Sequence, residues 1–206
     1  MPQAQLLPKL LIATTNAGKV AEIRGCLTDL PYEVIGLADL ATVPPVVEET
    51  GDTFAANAML KAHYYFEQTG LLTLSDDSGL MVDALGGRPG VYSARYAGEG
   101  ATSEQLVAKL LAEMKGVDDA QRQAQFVCVM ALRGANLREA FVGVCDGRIA
   151  RAARGRQGFG FDPVFINPAS GRTFAEMSRT EKNTLSHRGK ALAQVHRFFD
   201  RANSGS

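Results

Sequence analysis

Strand-like and helix-like segments alternate along the first half of this chain, and that alternation restricts it to the α/β class more tightly than any other feature. Residues 9–14 (KLLIAT) form a short apolar run, and residues 19–30 follow with Val20, Ile23 and Leu27 at helical spacing. Strand, loop and helix therefore come in immediate succession. Residues 32–36 predict a second strand. Residues 43–47 (VPPVV) must be extended, because a proline excludes the helical region for the residue before it, and a surface connection results. Asp52 or Thr53 is placed to cap a helix running to about Gln68, with Phe54, Ala58 and Ala62 on one stripe and Gly70 at its end. On that helix Asn57 and Lys61 are four apart and share a face.

The middle of the chain gathers Gly79, Gly86, Gly87, Gly90, Gly98 and Gly100 around Arg88-Pro89, which predicts a loop-dominated region. Thr102 with Gln105 three residues on resembles a capping box, opening a helix to about Lys115. The pattern then turns to β. Residues 124–132 and 137–145 are apolar runs separated by Arg133-Gly134-Ala135-Asn136, a hairpin. Asp146-Gly147 reads as a second hairpin turn leading into a third antiparallel strand over 148–153. From Ser186 onward, Leu192, Val195 and Phe199 mark a closing helix. The 206 residues contain no internal repeat and suit one domain or two intimate lobes, with a small polar tail at 203–206 expected to fray.

Lysines and arginines number 22 and so do aspartates and glutamates. Zero net charge argues against a general nucleic-acid or anionic-membrane surface, so any anion must be met by a local site. No apolar run approaches the ~20 residues of a membrane span, and no basic segment precedes an apolar signal core. A soluble, cytoplasmic protein is the expectation. Cys26, Cys128 and Cys145 show no Cys-x-x-Cys spacing and read as small core residues. His63 and His196 lack a metal-binding spacing, which leaves His187 as the histidine with an interesting setting.

Four segments carry chemistry. In Leu74-Ser75-Asp76-Asp77-Ser78-Gly79-Leu80 two adjacent carboxylates follow an apolar run; their repulsion is repaid by a cation, or else they form an Asp-rich turn. Thr14-Thr15-Asn16-Ala17-Gly18-Lys19 lies between strand and helix, where backbone N–H groups, the helix dipole and a lysine suit a phosphate. It is not a Walker A loop, which would need glycine at Ala13 and a hydroxyl at Val20, so a phosphate-bound Mg²⁺ must be held elsewhere. Glu48-Glu49 and Asp76-Asp77 are the candidates. Gly155 to Asp162 (GRQGFGFD) offers close backbone approach and a Phe161 ring for stacking a base, unless Phe159 and Phe161 alternate into a core. Lys182 and Ser186-His187-Arg188-Gly189-Lys190 add donors at a helix start.

Together and in this order, TTNAGK, EETGDTFAANAMLKA, SDDSGL, GGRPGVYSARYAG, GFGFDPVF and TEKNTLSHRGKAL resemble the inosine triphosphate pyrophosphatases of the Ham1 type, over nearly the whole chain. The resemblance implies hydrolysis of ITP, dITP or XTP to the monophosphate and pyrophosphate with Mg²⁺. It further implies a homodimer and an α/β fold of two lobes around a long twisted mixed sheet with flanking helices, the active-site cleft lying between the lobes. By position it places substrate on Thr14, Thr15, Asn16, Ala17, Gly18, Lys19, Lys61 and Ser78. The purine pocket falls on Phe159, Gly160, Phe161, Asp162, Lys182, Ser186, His187 and Arg188, the metal on Glu48 and Asp77, and proton acceptance on Asp77. The sequence departs from the family pattern at Thr14-Thr15, where Ser or Thr followed by Asn or Gly is common, and at Phe161, where Tyr or Trp is common.

The chemistry follows without the family. A triphosphate carries roughly four negative charges, so cations must neutralise its oxygens before water can attack. Lys19, Lys61 and Mg²⁺ suit that task, and Asp77 suits deprotonation of the water. Donors from Lys182, His187 or Arg188 favour a 6-oxo purine over adenine. A nucleotide sensor without turnover, and a pyrophosphatase acting on other modified or pyrimidine nucleotides, are the rival readings.

Overall fold

The computed structural model describes residues 7–204, with side chains through residue 202. β1 (Lys9–Ala13) has Leu10, Leu11, Ile12 and Ala13 fully buried, the pattern of a strand covered on both faces. It pairs in parallel with β2 (Glu33–Gly36), Leu10 opposite Val34, and with β3 (Leu72–Val82), Leu10 opposite Leu72. Parallel neighbours need long crossovers, and α1 (Ala17–Cys26) and α2 (Phe54–Thr69) supply them. Thr53 accepts the Ala56 N–H to start α2, and Gly70 ends it, as the sequence predicts.

α3 (Ser103–Glu113) opens on the expected reciprocal cap, Gln105 N–H to Thr102 Oγ1 at 3.3 Å and Thr102 N–H to Gln105 Oε1 at 2.8 Å. β4 (Gln123–Gly134) and β5 (Leu137–Ile149) follow, joined by the two-residue turn Ala135-Asn136. β6 (Phe165–Ile166) runs antiparallel to the end of β5. A short α4 (Arg179–Leu185) precedes α5 (His187–Ser204). The strands line up in the order β2-β1-β3-β4-β5-β6, a mixed sheet with flanking helices.

Two readings are corrected. The acid pair does not turn: β3 passes straight through Asp76 and Asp77, although aspartate and glycine disfavour strands, and Lys19 pairs with the Asp76 carboxylate while Lys61 donates to the Asp76 carbonyl there. Asp146-Gly147 is no hairpin either, since β5 continues to Ile149 and the third antiparallel strand is β6, not 148–153. Gly147 serves close approach: a Cβ there would lie 2.5 Å from the Ile166 carbonyl oxygen and 2.5 Å from the Phe165 ring. α5 continues through Asn203 and Ser204, and the rest of the tail expected to fray, Gly205 and Ser206, lies outside the described residues.

The chain divides into two compact units. One runs to Asp76 and adds Met130–Phe141 and the chain from Leu192; the other comprises Asp77–Val129 and Val142–Ala191. The first has an apolar cluster of Leu11, Ala13, Ile35, Leu37 and Tyr65. In the second, Leu80, Leu110, Phe126, Phe161, Phe165 and Phe174 belong to a larger cluster. The Asp76–Asp77 peptide is the first point at which the chain passes from one unit to the other.

Candidate functional site

In the first unit, the loop after β1 becomes α1 through Asn16, whose Oδ1 accepts the Lys19 N–H at 3.1 Å, while Thr14 Oγ1 accepts the Asn16 N–H at 3.2 Å. Thr15, Asn16 and Ala17 are exposed, and Thr14, Gly18 and Lys19 half-buried, so the loop presents its first-turn amides and a lysine at a helix N-terminus. Lys19 Nζ stands 2.5 Å from Asp76 Oδ1. From α2, Lys61 Nζ donates to the Asp76 carbonyl oxygen at 2.8 Å and to Glu49 Oε1 at 2.7 Å. Two lysines thus converge on one residue of β3. Ser75, just before it, donates to the Ala58 carbonyl at 2.6 Å and ties α2 to the strand.

Asn57 explains why the segment 48–51 lies where it does. Its Oδ1 accepts the Gly51 N–H at 2.7 Å, and a Cβ on Gly51 would meet that oxygen at 2.7 Å and Ala56 Cβ at 2.8 Å. Asn57 and Lys61, both buried on the shared face foreseen from spacing, therefore strap an acidic segment to α2. Within that segment Glu49 is held by Lys61 while Glu48 is exposed.

In the second unit, Asp77 is buried at the start of its share of β3, followed by half-buried Ser78. Ser78 Oγ accepts from Arg188 Nη2 at 2.8 Å, so the first residues of α5 are fixed to β3. Asp162 organises the glycine-rich loop, accepting Lys182 Nζ at 2.6 Å and the Phe159 N–H at 2.9 Å, and Ser103 Oγ accepts the Gly160 N–H at 2.8 Å. The Lys182 ammonium lies 4.8 Å from the Phe159 ring centroid and the Arg188 guanidinium 5.6 Å from it. His187 stacks on Phe126 at 4.6 Å and 10°. Lys182, Ser186, His187 and Arg188 are all buried, the Ser186 hydroxyl capping α5 through the Gly189 N–H.

The helix that carries Lys182 is held by an exposed acid. Glu181 accepts from Arg172 at 2.7 Å and from the Ser178 N–H and hydroxyl, each at 2.8 Å. Those bonds, the Arg172 one foremost, push its carboxyl down to about 2.

The two phenylalanines of the glycine-rich loop differ in exposure. Phe161, expected to stack a base, is 3% exposed inside the apolar cluster, with Tyr96 edge-on at 6.2 Å, and its faces are used by the core. Phe159 is the half-exposed ring, and it already faces two cations. Strand-like alternation in FGF could not tell which ring turns inward, because the loop is a series of turns and not a strand.

Among the described residues no three His, Cys, Asp or Glu side chains form a group that could hold a metal ion alone. Glu48 and Asp77 are hard oxygen donors of the type Mg²⁺ takes, and Mg²⁺ usually keeps water and substrate phosphate for the rest of its shell.

The Ham1 family model matches residues 10–198. The chain belongs to the Ham1 family. Among Ham1-type relatives, the dITP/XTP pyrophosphatase of Shigella flexneri is 48% identical over 189 residues, covering 90% of this chain and 95% of that protein. The dITP/XTP pyrophosphatase of Geobacillus kaustophilus is 48% identical over 190 residues, covering 92% and 93%. The solved HAM1 protein of Coxiella burnetii superposes with a TM-score of 0.85 at 41% identity, covering 95% of this chain and all of that one. Every motif from the phosphate loop to the start of α5 lies inside the matched span.

Proposed function

We propose that this Ham1-family chain is a nucleoside triphosphate pyrophosphatase that hydrolyses ITP, dITP and XTP to the monophosphate and pyrophosphate, clearing non-canonical purines from the nucleotide pool. The observation that carries the reading is the convergence of Lys19 and Lys61 on Asp76, one residue before the buried Asp77. Two cations, Lys19 on the Asp76 carboxylate and Lys61 on that of Glu49, are a chemistry suited to a polyanion, and the adjacent Asp77 is an acid suited to removing a proton from water.

The assignment of roles follows from that arrangement. Thr14 to Lys19 and Lys61 hold the phosphate chain, Asn16 by fixing the loop and the lysines by charge. Glu48 and Asp77 would each offer an oxygen ligand to Mg²⁺, which would neutralise phosphate charge when bound. Asp77 takes the proton as water attacks the α-phosphorus, the α–β bridging P–O bond breaks, and pyrophosphate leaves with the bonding pair. Phe159 offers the ring for the base, Asp162 keeps Lys182 in place, and Lys182, His187 and Arg188 supply donors to a 6-oxo purine. Adenine, with an amino group there, leaves those donors unsatisfied. A cytoplasmic homodimer is the form proposed, supported by the family resemblance; among the described residues no helix is long and apolar enough to cross a membrane.

Incubation with Mg²⁺ and ITP, XTP, GTP or ATP separately, with pyrophosphate measured apart from orthophosphate, tests the reading. Pyrophosphate from ITP and XTP and little from the others is expected. Tight binding without product would replace the enzyme by a nucleotide sensor.

A further inference from the structure

A cavity of about 330 Å³ opens in the second unit, lined by none of the residues assigned to the nucleotide. Arg122, Arg148, Arg151 and Arg154 line it, with Asp119 as its one acid, and Ile149 and Ile166 contribute to its apolar wall. Four arginines against one aspartate leave an excess of three positive charges, in a chain whose net charge is zero.

Its floor is a buried cation. Arg122 is 3% exposed, and its guanidinium donates to four main-chain carbonyls: Ile149 at 2.8 Å, Ala150 at 2.9 Å, Met114 at 3.1 Å and Val117 at 3.3 Å. Carbonyl dipoles satisfy its N–H groups without cancelling its charge, so a full positive charge stands behind the cavity at low dielectric. At the rim Arg151 meets Asp119 at 2.8 Å, and Arg154 reaches Glu176 only at 3.9 Å. Among the described residues no acid pairs with exposed Arg148. Packing cations together is unfavourable, and apolar walls concentrate their field into the concavity.

We propose that this cavity is a second anion site, taking a small molecule that carries an oligophosphate chain. The volume falls at the small end of ligand pockets, and rim guanidiniums suit bidentate contact with phosphate oxygens. Concavity favours a compact anion over a nucleic-acid strand, which would need a basic groove along a longer surface. The site needs no catalysis, so it stands whether or not the chain hydrolyses nucleotides.

Isothermal titration with inorganic tripolyphosphate tests it, comparing the full chain with Arg148→Glu/Arg151→Glu and with Arg148→Gln, which leaves the Arg151–Asp119 pair intact. The double variant is expected to lose one equivalent of tripolyphosphate, or to bind it at least about 10-fold more weakly, and Arg148→Gln to show a smaller loss. Nucleotide turnover stays unchanged in both. In the wild type that equivalent weakens with added salt. A non-hydrolysable nucleoside triphosphate filling the same equivalent identifies a nucleotide as the source of the chain; filling by tripolyphosphate alone identifies an inorganic one. Titrations identical in all three proteins overturn the proposal. So does an arginine-dependent affinity for DNA or RNA oligomers without tripolyphosphate binding.

Discussion

Lys19 meets Asp76 at 2.5 Å in one unit, and Lys182 meets Asp162 at 2.6 Å in the other. Nearly equal in length, the pairs differ in what surrounds them. Lys182 is enclosed: its side chain is 5% exposed, Phe159 and Phe174 lie under its ammonium, and its aspartate also holds a loop amide. Lys19 has a 13% exposed side chain in the first turn of α1, beside an exposed loop. A pair closed on every side fixes geometry, whereas a pair open at one end can exchange its carboxylate for an incoming phosphate. On the proposed function, the contrast separates positioning a base from gripping a charge.

The largest effect expected from this contrast is on stability. Asp162→Ala strands the Lys182 charge in an apolar enclosure and removes the acceptor of the Phe159 N–H, a loss of about 3–5 kcal/mol on the scale of breaking a buried ion pair. Urea unfolding measures it. A shift no larger than that of Lys19→Ala would erase the distinction between the pairs.

Next comes rate. Asp77→Asn keeps the shape of β3 and removes the base, so turnover of ITP should fall ~10²-fold or more with little change in stability. Near wild-type turnover at saturating Mg²⁺ would remove Asp77 from that role, and an unfolded variant would show that the carboxylate belongs to the frame.

Selectivity gives a smaller, sharper test. Lys19→Ala should weaken kcat/KM for ITP and ATP by similar factors, since both carry the same triphosphate. Arg188→Ala should cost ITP about 10-fold or more, the scale of a charge-assisted hydrogen bond, and ATP much less. Equal losses in both variants would mean that the second unit does not read the base.

What the sequence made legible follows the same division. Helix caps at Thr53 and Thr102 and the first strands rest on local chemistry and on spacing, and they stand where the residues place them. The acid pair was legible as a charged site but not as a strand, because its conformation is dictated by Lys19 and Lys61, which arrive from other elements. Gly147 carried a turn signal identical to a hairpin's, and only the approach of β6 explains it. Arg122 gave no motif at all: its carbonyl cage is drawn from residues as far as 28 positions away.

The smallest effect concerns the helix that delivers Lys182. Glu181 locks the start of α4 through Arg172 and Ser178, and these bonds hold its carboxyl at about 2 against an ordinary 4.5. A carboxyl depressed on folding binds its proton more weakly in the native state than in the unfolded one. Its stabilising contribution is therefore complete above pH 4.5 and disappears as the pH falls through about 2. Exposure to solvent keeps the effect modest. Glu181→Gln retains a capping oxygen without the titration, so its thermal midpoint should fall less steeply than the wild type's across that window. Lys182 is held laterally by Asp162 and axially by this cap, and the two should add weakly in combination because they constrain the same helix. Parallel pH curves for the two proteins would leave Asp162 as the constraint that matters, with the enclosure of Lys182 owed to its aromatic walls and not to the helix beneath it.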